Sequence, residues 1–74
     1  MRSHELPSER VDRDLRRRIA SGEWPAGGQL PVTRELAEAY GVSRETISRV
    51  VRRLADDGLV ITRGRWGVFI PPGD

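Results

Sequence analysis

The sequence contains no cysteine and a single histidine, and all 13 of its basic side chains are arginine, with no lysine. Without cysteine the chain has no disulfide framework and no thiolate nucleophile. His4 lies near an end that we expect to be mobile, so we expect no zinc site built on His or Cys. No apolar run approaches the ~18 residues of a membrane span. The start Met-Arg-Ser-His-Glu lacks the apolar core of a signal peptide, which predicts a cytoplasmic protein with no membrane partner.

Side-chain combinations that carry enzymatic chemistry are also missing from the sequence. We find no nucleophile–base pair, carboxylate dyad or metal cluster. Gly27-Gly28 is not followed by Lys-Ser or Lys-Thr, as a phosphate-binding loop requires. The 74 residues leave room for one small domain and not for a second, sensing domain. We therefore expect no enzymatic activity, no cofactor, and no small-molecule effector site in this chain.

Residues 8–21 repeat an apolar side chain every four positions, which predicts a first helix. Its apolar face consists of Val11, Leu15 and Ile19. Ser8 follows Pro7 and is the expected N-cap, and Gly22 is the expected C-terminal stop. The polar residues 1–7 before it are predicted to form a flexible arm. Trp24, in the turn-rich segment that follows, is interpreted as a lid on the core.

A second and a third helix are separated by a very short turn. The second is predicted to run from residue 33 to residue 39 or 40 and to end at Gly41, with its apolar stripe on Leu36, Ala37 and Tyr40. The third starts after Ser43, its expected N-cap, and ends before Gly58. Its predicted inner face consists of Ile47, Val50, Val51 and Leu54. Two short helices joined by a tight glycine-containing turn form a helix-turn-helix, and its second helix is a candidate reader of the DNA major groove.

The end of the chain is predicted to form a β-hairpin. Residues 59–62 and 68–70 are apolar and β-branched, as strands are, and residues 63–67 form the turn between them. Leu30 is a candidate for a short third strand. Residues 71–74 form a tail. The fold class is thus α+β: a winged helix-turn-helix of three helices followed by a two- to three-stranded antiparallel wing, over residues 8–70.

The small net charge of +2 is unevenly distributed. Residues 43–65 contain six arginines and three acids, a local charge of +3. The rest of the chain holds seven arginines and eight acids, a local charge of −1. A positive excess on the reading helix and wing favours nucleic acid as the partner. Arg44 is a candidate for two parallel bonds to the O6 and N7 acceptors of guanine. Ser43 and Thr46 are candidate donors to phosphate at the helix N-terminus.

Four segments, in order and at matching spacing, resemble the GntR family of bacterial transcription regulators. Residues 19–31 are similar to its I-x-S-G-x-x-x-P-G-x-x-L-P signature, with one residue of slack at the glycines. Residues 34–47 resemble its R-E-L-A-x-x-x-G-V-S-R-x-T-V. Residues 54–60 resemble its L-x-x-x-G-L-V, and residues 67–70 resemble the end of its wing. The resemblance implies a winged helix-turn-helix that binds operator DNA, usually as a two-fold dimer.

By position, the family's DNA contacts correspond to Arg34 at the start of the second helix, to Ser43, Arg44 and Thr46 at the start of the reading helix, and to the wing glycine Gly64. With their neighbours on the outer helix face and in the wing, the predicted DNA-binding residues are Arg34, Ser43, Arg44, Glu45, Thr46, Ser48, Arg49, Arg63, Gly64 and Arg65. The expected partners are double-stranded DNA with a palindromic operator and a second copy of the chain on it. The expected role is a repressor associated with the nucleoid.

The sequence departs from the family at three places. Val32-Thr33 replaces the usual Ser-Glu, so Thr33 is expected to take over the capping of the second helix. Ser48 stands where the family often has arginine, which predicts a different base preference or one fewer phosphate contact. Arg65-Trp66 makes the wing tip bulkier. The family's effector-binding and dimerising domain is missing, which leaves two readings open: a natural stand-alone domain, slightly favoured, or a fragment.

Several alternatives to DNA contact stay open at this point. The run Arg16-Arg17-Arg18 is interpreted as a solvated helix face, and Arg34 has a possible i,i+4 partner in Glu38. For Trp66 three options exist: folding back over the hairpin, a partner protein, or DNA sugar. We favour packing or protein contact. A winged-helix protein-interaction or assembly module that uses the wing is therefore the alternative function.

Overall fold

The computed structural model describes residues 5–73, and these form three helices followed by a small antiparallel sheet. The helices are α1 (Pro7–Ala20), α2 (Thr33–Tyr40) and α3 (Arg44–Asp56). The strands are β1 (Ile61–Thr62) and β2 (Val68–Phe69), and a single 3₁₀ turn (Gly64–Trp66) joins them. Residues 1–4 of the predicted arm, with His4, and Asp74 of the predicted tail lie outside the described residues. In residues 5–73 no helix is long and apolar enough to cross a membrane.

The start of α1 differs from the prediction, because Leu6 and not Ser8 occupies the N-cap position. Pro7 is the first helical residue, where its fixed φ and missing N–H suit the helix. The Glu9 carboxylate accepts a hydrogen bond from the backbone N–H of Leu6 at 2.9 Å. This is the bond that the third helical residue makes to the N-cap backbone in a capping box. Ser8 is the second residue of the helix and is buried in its first turn. The helix ends with Ser21 at the C-cap position, and Gly22 follows it, as predicted.

The turn between α2 and α3 has the geometry expected of a helix-turn-helix. Gly41 ends α2 with φ 67° and ψ 36°, a left-handed conformation that a residue without Cβ adopts freely. The amide of Val42 donates to the carbonyl of Ala37 at 3.0 Å.

At the N-terminus of α2 the prediction of a Thr33 cap is wrong. Val32 occupies the N-cap position, and its side chain accepts no hydrogen bond.

Helices α1 and α2 both pack on α3, whose inner face is the centre of the core. The predicted inner face of α3 is confirmed, with Ile47, Val50 and Leu54 fully buried. Ile19 and Tyr40, predicted for the apolar stripes, are only partly buried at the edge of this core. The buried core consists of Val11, Leu15, Leu30, Leu36, Ala37, Ile47, Val50, Val51, Leu54 and Val60.

The wing is shorter in regular structure than predicted and has a third, one-residue component. β1 and β2 pair antiparallel, with Ile61 opposite Phe69. Gln29, rather than the predicted Leu30, forms the bridge to Phe69 on the other side. The amide of Leu30 nevertheless donates to the carbonyl of Val68 at 2.9 Å. The segment before α2 therefore holds the wing against the helices.

Candidate nucleic-acid interface

Within residues 5–73, four of the five arginines of α1, all except Arg10, form ion pairs with acids of the same molecule. The ion pairs are Arg13–Glu5, Arg16–Asp12, Arg16–Asp57, Arg17–Asp14 and Arg18–Glu23. The pair between Arg16 and Asp57, at 2.6 Å, joins α1 to the end of α3. The pKa of Arg16 is raised by its hydrogen bonds to Asp12 and then to Asp57. The guanidinium groups of residues 16–18 already have carboxylate partners within the chain, which supports the reading that this run is not a DNA-binding surface.

Arg18 is the centre of a network that joins α1, the following turn and the end of α2. It donates two hydrogen bonds to Glu23, at 2.8 and 2.5 Å, and its guanidinium lies 4.7 Å from the centre of the Trp24 ring. Its Nη1 donates to the Tyr40 hydroxyl at 2.9 Å, and that hydroxyl donates to Asp14 at 2.6 Å. The bond from Tyr40 lowers the pKa of Asp14, and burial raises the pKa of Tyr40. Trp24 packs on the edge of the core, as predicted.

Beyond α1 the arginines have a different environment. In the described range 5–73, no arginine from position 34 onward forms an ion pair, and Arg34 does not pair with Glu38. All of them are exposed. They are Arg34, Arg44, Arg49, Arg52, Arg53, Arg63 and Arg65. Their donors are therefore available to an anionic partner, with no internal ion pair to break first.

A groove of about 710 Å³ lies between α3 and the wing, and arginines line it on three sides. Arg34 reaches it from the start of α2 and Arg65 from the wing tip. Arg44, Ser48 and Arg52 line it from α3. Because these three are spaced four residues apart, they form one row along the helix. Asp56 is the one acid among the lining residues, so the border of the groove carries a net positive charge and is open to solvent.

The N-terminus of α3 is capped by the residues that the sequence predicted to contact phosphate. The Ser43 hydroxyl accepts a hydrogen bond from the amide of Thr46 at 3.0 Å. The two hydroxyls also lie 2.9 Å apart, within hydrogen-bond distance. Both side chains therefore shape the helix start, and one hydroxyl proton of the pair remains for an external acceptor.

The structure brings only part of the predicted site together. Five predicted residues line the groove, and these are Arg34, Arg44, Ser48, Gly64 and Arg65. Glu45 and Arg49 border a second depression, of about 230 Å³, on the next face of α3, together with Ser48 and Arg52. Ser43 and Thr46 form the cap, and Arg63 lines neither depression.

Gln29 is a residue of this site that the sequence analysis missed. Its Nε2 donates to the carbonyl of Trp66 at 3.1 Å, which fixes the wing tip to the segment before α2. The tip is also closed by hydrogen bonds from Arg63 N to Gly67 O at 2.9 Å and from Trp66 N to Arg63 O at 2.8 Å. A lone glutamine in a glycine-rich turn gives no sequence signal for such a role.

Trp66 does not fold back over the hairpin, and this part of the sequence interpretation is wrong. Its side chain is 73% exposed at the tip of the wing. The 3₁₀ turn places the indole outside the two-stranded sheet, where Val68 and Phe69 are only partly buried themselves. Of the three options for Trp66 given above, contact with a partner protein and contact with DNA remain.

Comparison with known proteins assigns this arrangement to a family. The model of the family described as bacterial regulatory proteins, gntR family, matches residues 7–70. The HTH-type transcriptional regulator Rv1152 of Mycobacterium tuberculosis is 42% identical over 52 residues, which are 70% of this chain and 43% of that protein. The histidine utilization repressor of Klebsiella aerogenes is 36% identical over 62 residues, which are 84% of this chain and 26% of that protein. The chain thus spans less than half the length of these relatives.

Two solved structures show the same fold. The structure of AraR(DBD) in complex with operator ORR3 superposes with a TM-score of 0.85 and 25% identity, covering 95% of this chain and 87% of that one. Streptococcus agalactiae GntR superposes with a TM-score of 0.76 and 36% identity, covering 86% of this chain and 31% of that one. The winged helix-turn-helix predicted from the sequence is therefore confirmed.

Proposed function

The chain belongs to the GntR family of bacterial regulatory proteins, whose model matches residues 7–70, and from this premise we propose that it binds operator DNA and represses transcription. The support from relatives is that one is named a histidine utilization repressor and that a structural neighbour was solved with an operator. The binding activity resides in α3 and the wing. Repression follows when the bound protein occludes the promoter.

One observation carries this proposal: the separation of paired from unpaired arginines. The ion pairs of the described residues use the arginines of α1, whereas every arginine around α3 and the wing keeps its donors unpaired. A protein surface with several unpaired guanidiniums around one groove repels itself, and a polyanion relieves that repulsion. Releasing the counterions of DNA then drives binding, which weakens steeply with salt.

The docking that we propose places α3 in the major groove with its outer face on the bases. Arg44 sits in the first turn of α3, where side chains of a reading helix meet base edges, and donates to the O6 and N7 of a guanine. Arg34 and Arg52 hold the phosphates of the strand that runs through the groove beside the wing. The wing, with Arg63, Gly64 and Arg65, crosses that strand toward the neighbouring minor groove.

We further propose that two copies of the chain bind one palindromic operator. A single module of this size buries about 600–1,000 Å² on DNA, which limits the specificity that one copy can reach. Two copies on half-sites one helical turn apart read twice the sequence. Selection of bound duplexes from a random pool tests this, because a symmetric motif is expected. A single unpaired half-site in the selected pool would contradict the dimer.

The reading role of Arg44 is tested with a matched pair of variants. Arg10 and Arg44 are both exposed and both lack an ion pair among residues 5–73, but Arg10 lies on α1, away from the groove. Arg44→Ala is expected to weaken binding to the selected duplex about 10- to 100-fold and to relax the preference at one base pair. Arg10→Ala makes the same charge change and is expected to leave the affinity within about twofold. Equal affinities for the two variants in a gel-shift titration would refute the assignment.

A further inference from the structure

Trp66 is the largest apolar side chain that the described structure leaves in solvent. It is 73% exposed, and the other exposed large apolar residues are Leu6 and Val32, at the N-caps of α1 and α2. Trp24, the other tryptophan, packs against the core and under Arg18. An indole with two apolar faces and one N–H donor is well suited to a surface that is apolar and also offers acceptors.

Three hydrogen bonds fix the backbone of the turn that carries this indole. Trp66 N donates to Arg63 O at 2.8 Å, and Gln29 Nε2 donates to Trp66 O at 3.1 Å. Arg63 N donates to Gly67 O at 2.9 Å and closes the turn. The side chain therefore projects from a short, hydrogen-bonded turn, so less conformational entropy is lost when it makes a contact.

The charge around Trp66 favours DNA over a protein as its partner. Arg63 and Arg65 precede it in the same turn, and residues 58–73 contain no acidic side chain. Neither arginine forms an ion pair within the described part of the chain. A partner protein would have to present two carboxylates around an apolar pocket. A DNA groove presents phosphates on both sides of sugar and base edges without further adaptation.

The tip of the wing has two different sides. Gly64, Arg65 and Gly67 line the groove that faces α3, whereas Trp66 does not. When α3 lies in the major groove, a phosphate strand occupies that groove and meets Arg65. Since Trp66 is exposed and does not line that groove, we place its indole beyond the strand, over the adjacent minor groove.

We propose, building on the DNA-binding function above, that the Trp66 indole enters this minor groove and makes the wing select A·T pairs. The indole N–H is a donor only. The minor-groove edges of A·T and T·A present acceptors only, so either orientation accepts the bond. A G·C pair adds the N2 amino group of guanine, which is itself a donor and stands between the ring and the groove floor. The expected signature is a position where A and T are equally accepted.

The test compares duplexes selected from one random pool by the wild-type chain and by Trp66→Phe. Wild type is expected to yield an interior motif flanked by columns of undifferentiated A or T. Trp66→Phe keeps the apolar ring and loses the N–H, and its columns are expected to lose the A·T preference. Persistence of the preference in Trp66→Phe would overturn the proposal and would assign it to Arg65 and groove width. A missing motif for wild type would instead refute the DNA-binding function itself.

Inosine identifies the group that is read. An I·C pair has the hydrogen-bonding pattern of G·C in the major groove but lacks the minor-groove amino group. In gel shifts on a duplex with a single half-site, replacing G·C by I·C under the wing is expected to raise the affinity of wild type about 3- to 10-fold. The same replacement is expected to leave Trp66→Phe unchanged. An I·C duplex that binds wild type no better than G·C would overturn the proposal.

The single half-site also separates DNA contact from protein contact. Trp66→Ala is expected to weaken binding about tenfold on one half-site, where no second copy is present. A loss seen only on duplexes with two half-sites would overturn the proposal in favour of contact between copies. Trp24→Phe leaves Trp66 as the one indole, and its fluorescence is expected to change on adding the half-site duplex. An unchanged emission spectrum at saturating DNA would also contradict the proposal.

Discussion

Replacing Gly67 by alanine tests how the wing is attached to the helical body. Gly67 has φ 119° and ψ −163°, a region that residues with Cβ essentially do not adopt, and this conformation costs them about 1–3 kcal/mol. A Cβ on Gly67 would also lie 2.5 Å from Nε2 of Gln29. Since that atom is the end of a flexible side chain, Gln29 is expected to move away and give up its hydrogen bond to Trp66 O, worth about 1 kcal/mol.

The two costs together predict that Gly67→Ala lowers the free energy of unfolding by about 2–4 kcal/mol. This is a large share of the ~4–11 kcal/mol expected for a domain of this length. Urea titrations followed by circular dichroism measure the change. Gly73→Ala is the matched control, because its φ is ordinary and its Cβ would meet only Ala26, at 3.6 Å.

A double-mutant cycle with Gln29→Ala separates the two costs. Gln29→Ala alone is expected to cost about 0.5–1.5 kcal/mol for the lost hydrogen bond. Gly67→Ala already gives up the Gln29 hydrogen bond, so the double variant carries the same two costs and Gln29→Ala should add nothing to Gly67→Ala. Additive effects would show that Gln29 and Gly67 do not interact in this way. A loss below about 0.5 kcal/mol for Gly67→Ala would refute the conformational argument itself.

Two further measurements test the electrostatics. Arg52 lines the groove beside α3, whereas its neighbour Arg53 does not. Arg52→Ala is therefore expected to lower the slope of log affinity against log salt by about 0.9, the value for one phosphate contact, and Arg53→Ala is expected to leave this slope unchanged. Equal slopes for the two variants would contradict the docking. Tyr40→Phe removes the first cause of the lowered pKa of Asp14. A carboxyl whose pKa is lowered by folding stabilises the folded state above its unfolded pKa of about 3.9. This contribution is lost as the pH falls through the folded pKa. The Tyr40→Phe variant should therefore lose less stability than wild type between about pH 5 and pH 2. Urea titrations at both pH values measure this, and an unchanged loss would contradict it.

Much of the helical architecture was predictable from the sequence, because its causes are local. The four-residue spacing of Val11 and Leu15 predicted the buried face of α1. Gly41 predicted the end of α2, and Ser43 predicted the start of α3. The N-terminus of α1 was predicted wrongly because two local signals competed. Ser8 is a good cap, but Pro7 at the first helical position and Glu9 two residues later let the helix start with its N-cap at Leu6, two residues earlier.

The candidate site was predictable in composition and not in arrangement. The sequence identified the arginines of α3 and the wing, and the family resemblance named Arg34 and Arg44. It separated these from the arginines of α1 through the uneven charge, +3 over residues 43–65 against −1 elsewhere, and through the interpretation of residues 16–18 as a solvated face. Most of the pairing acids are close in the chain, such as Asp12 for Arg16 and Asp14 for Arg17, and only Asp57, 41 residues from Arg16, is distant.

The sequence by itself determined the three helices, the tight turn between α2 and α3, and the positive excess of the half that contains α3 and the wing. These follow from periodicity, capping residues and composition, which act over a few positions. Only the tertiary structure decided that Arg16 also pairs with Asp57, how Gln29 fixes the wing, and that Trp66 faces solvent. Each of these depends on contacts between segments that the chain brings together only when it folds, and no local pattern encodes them.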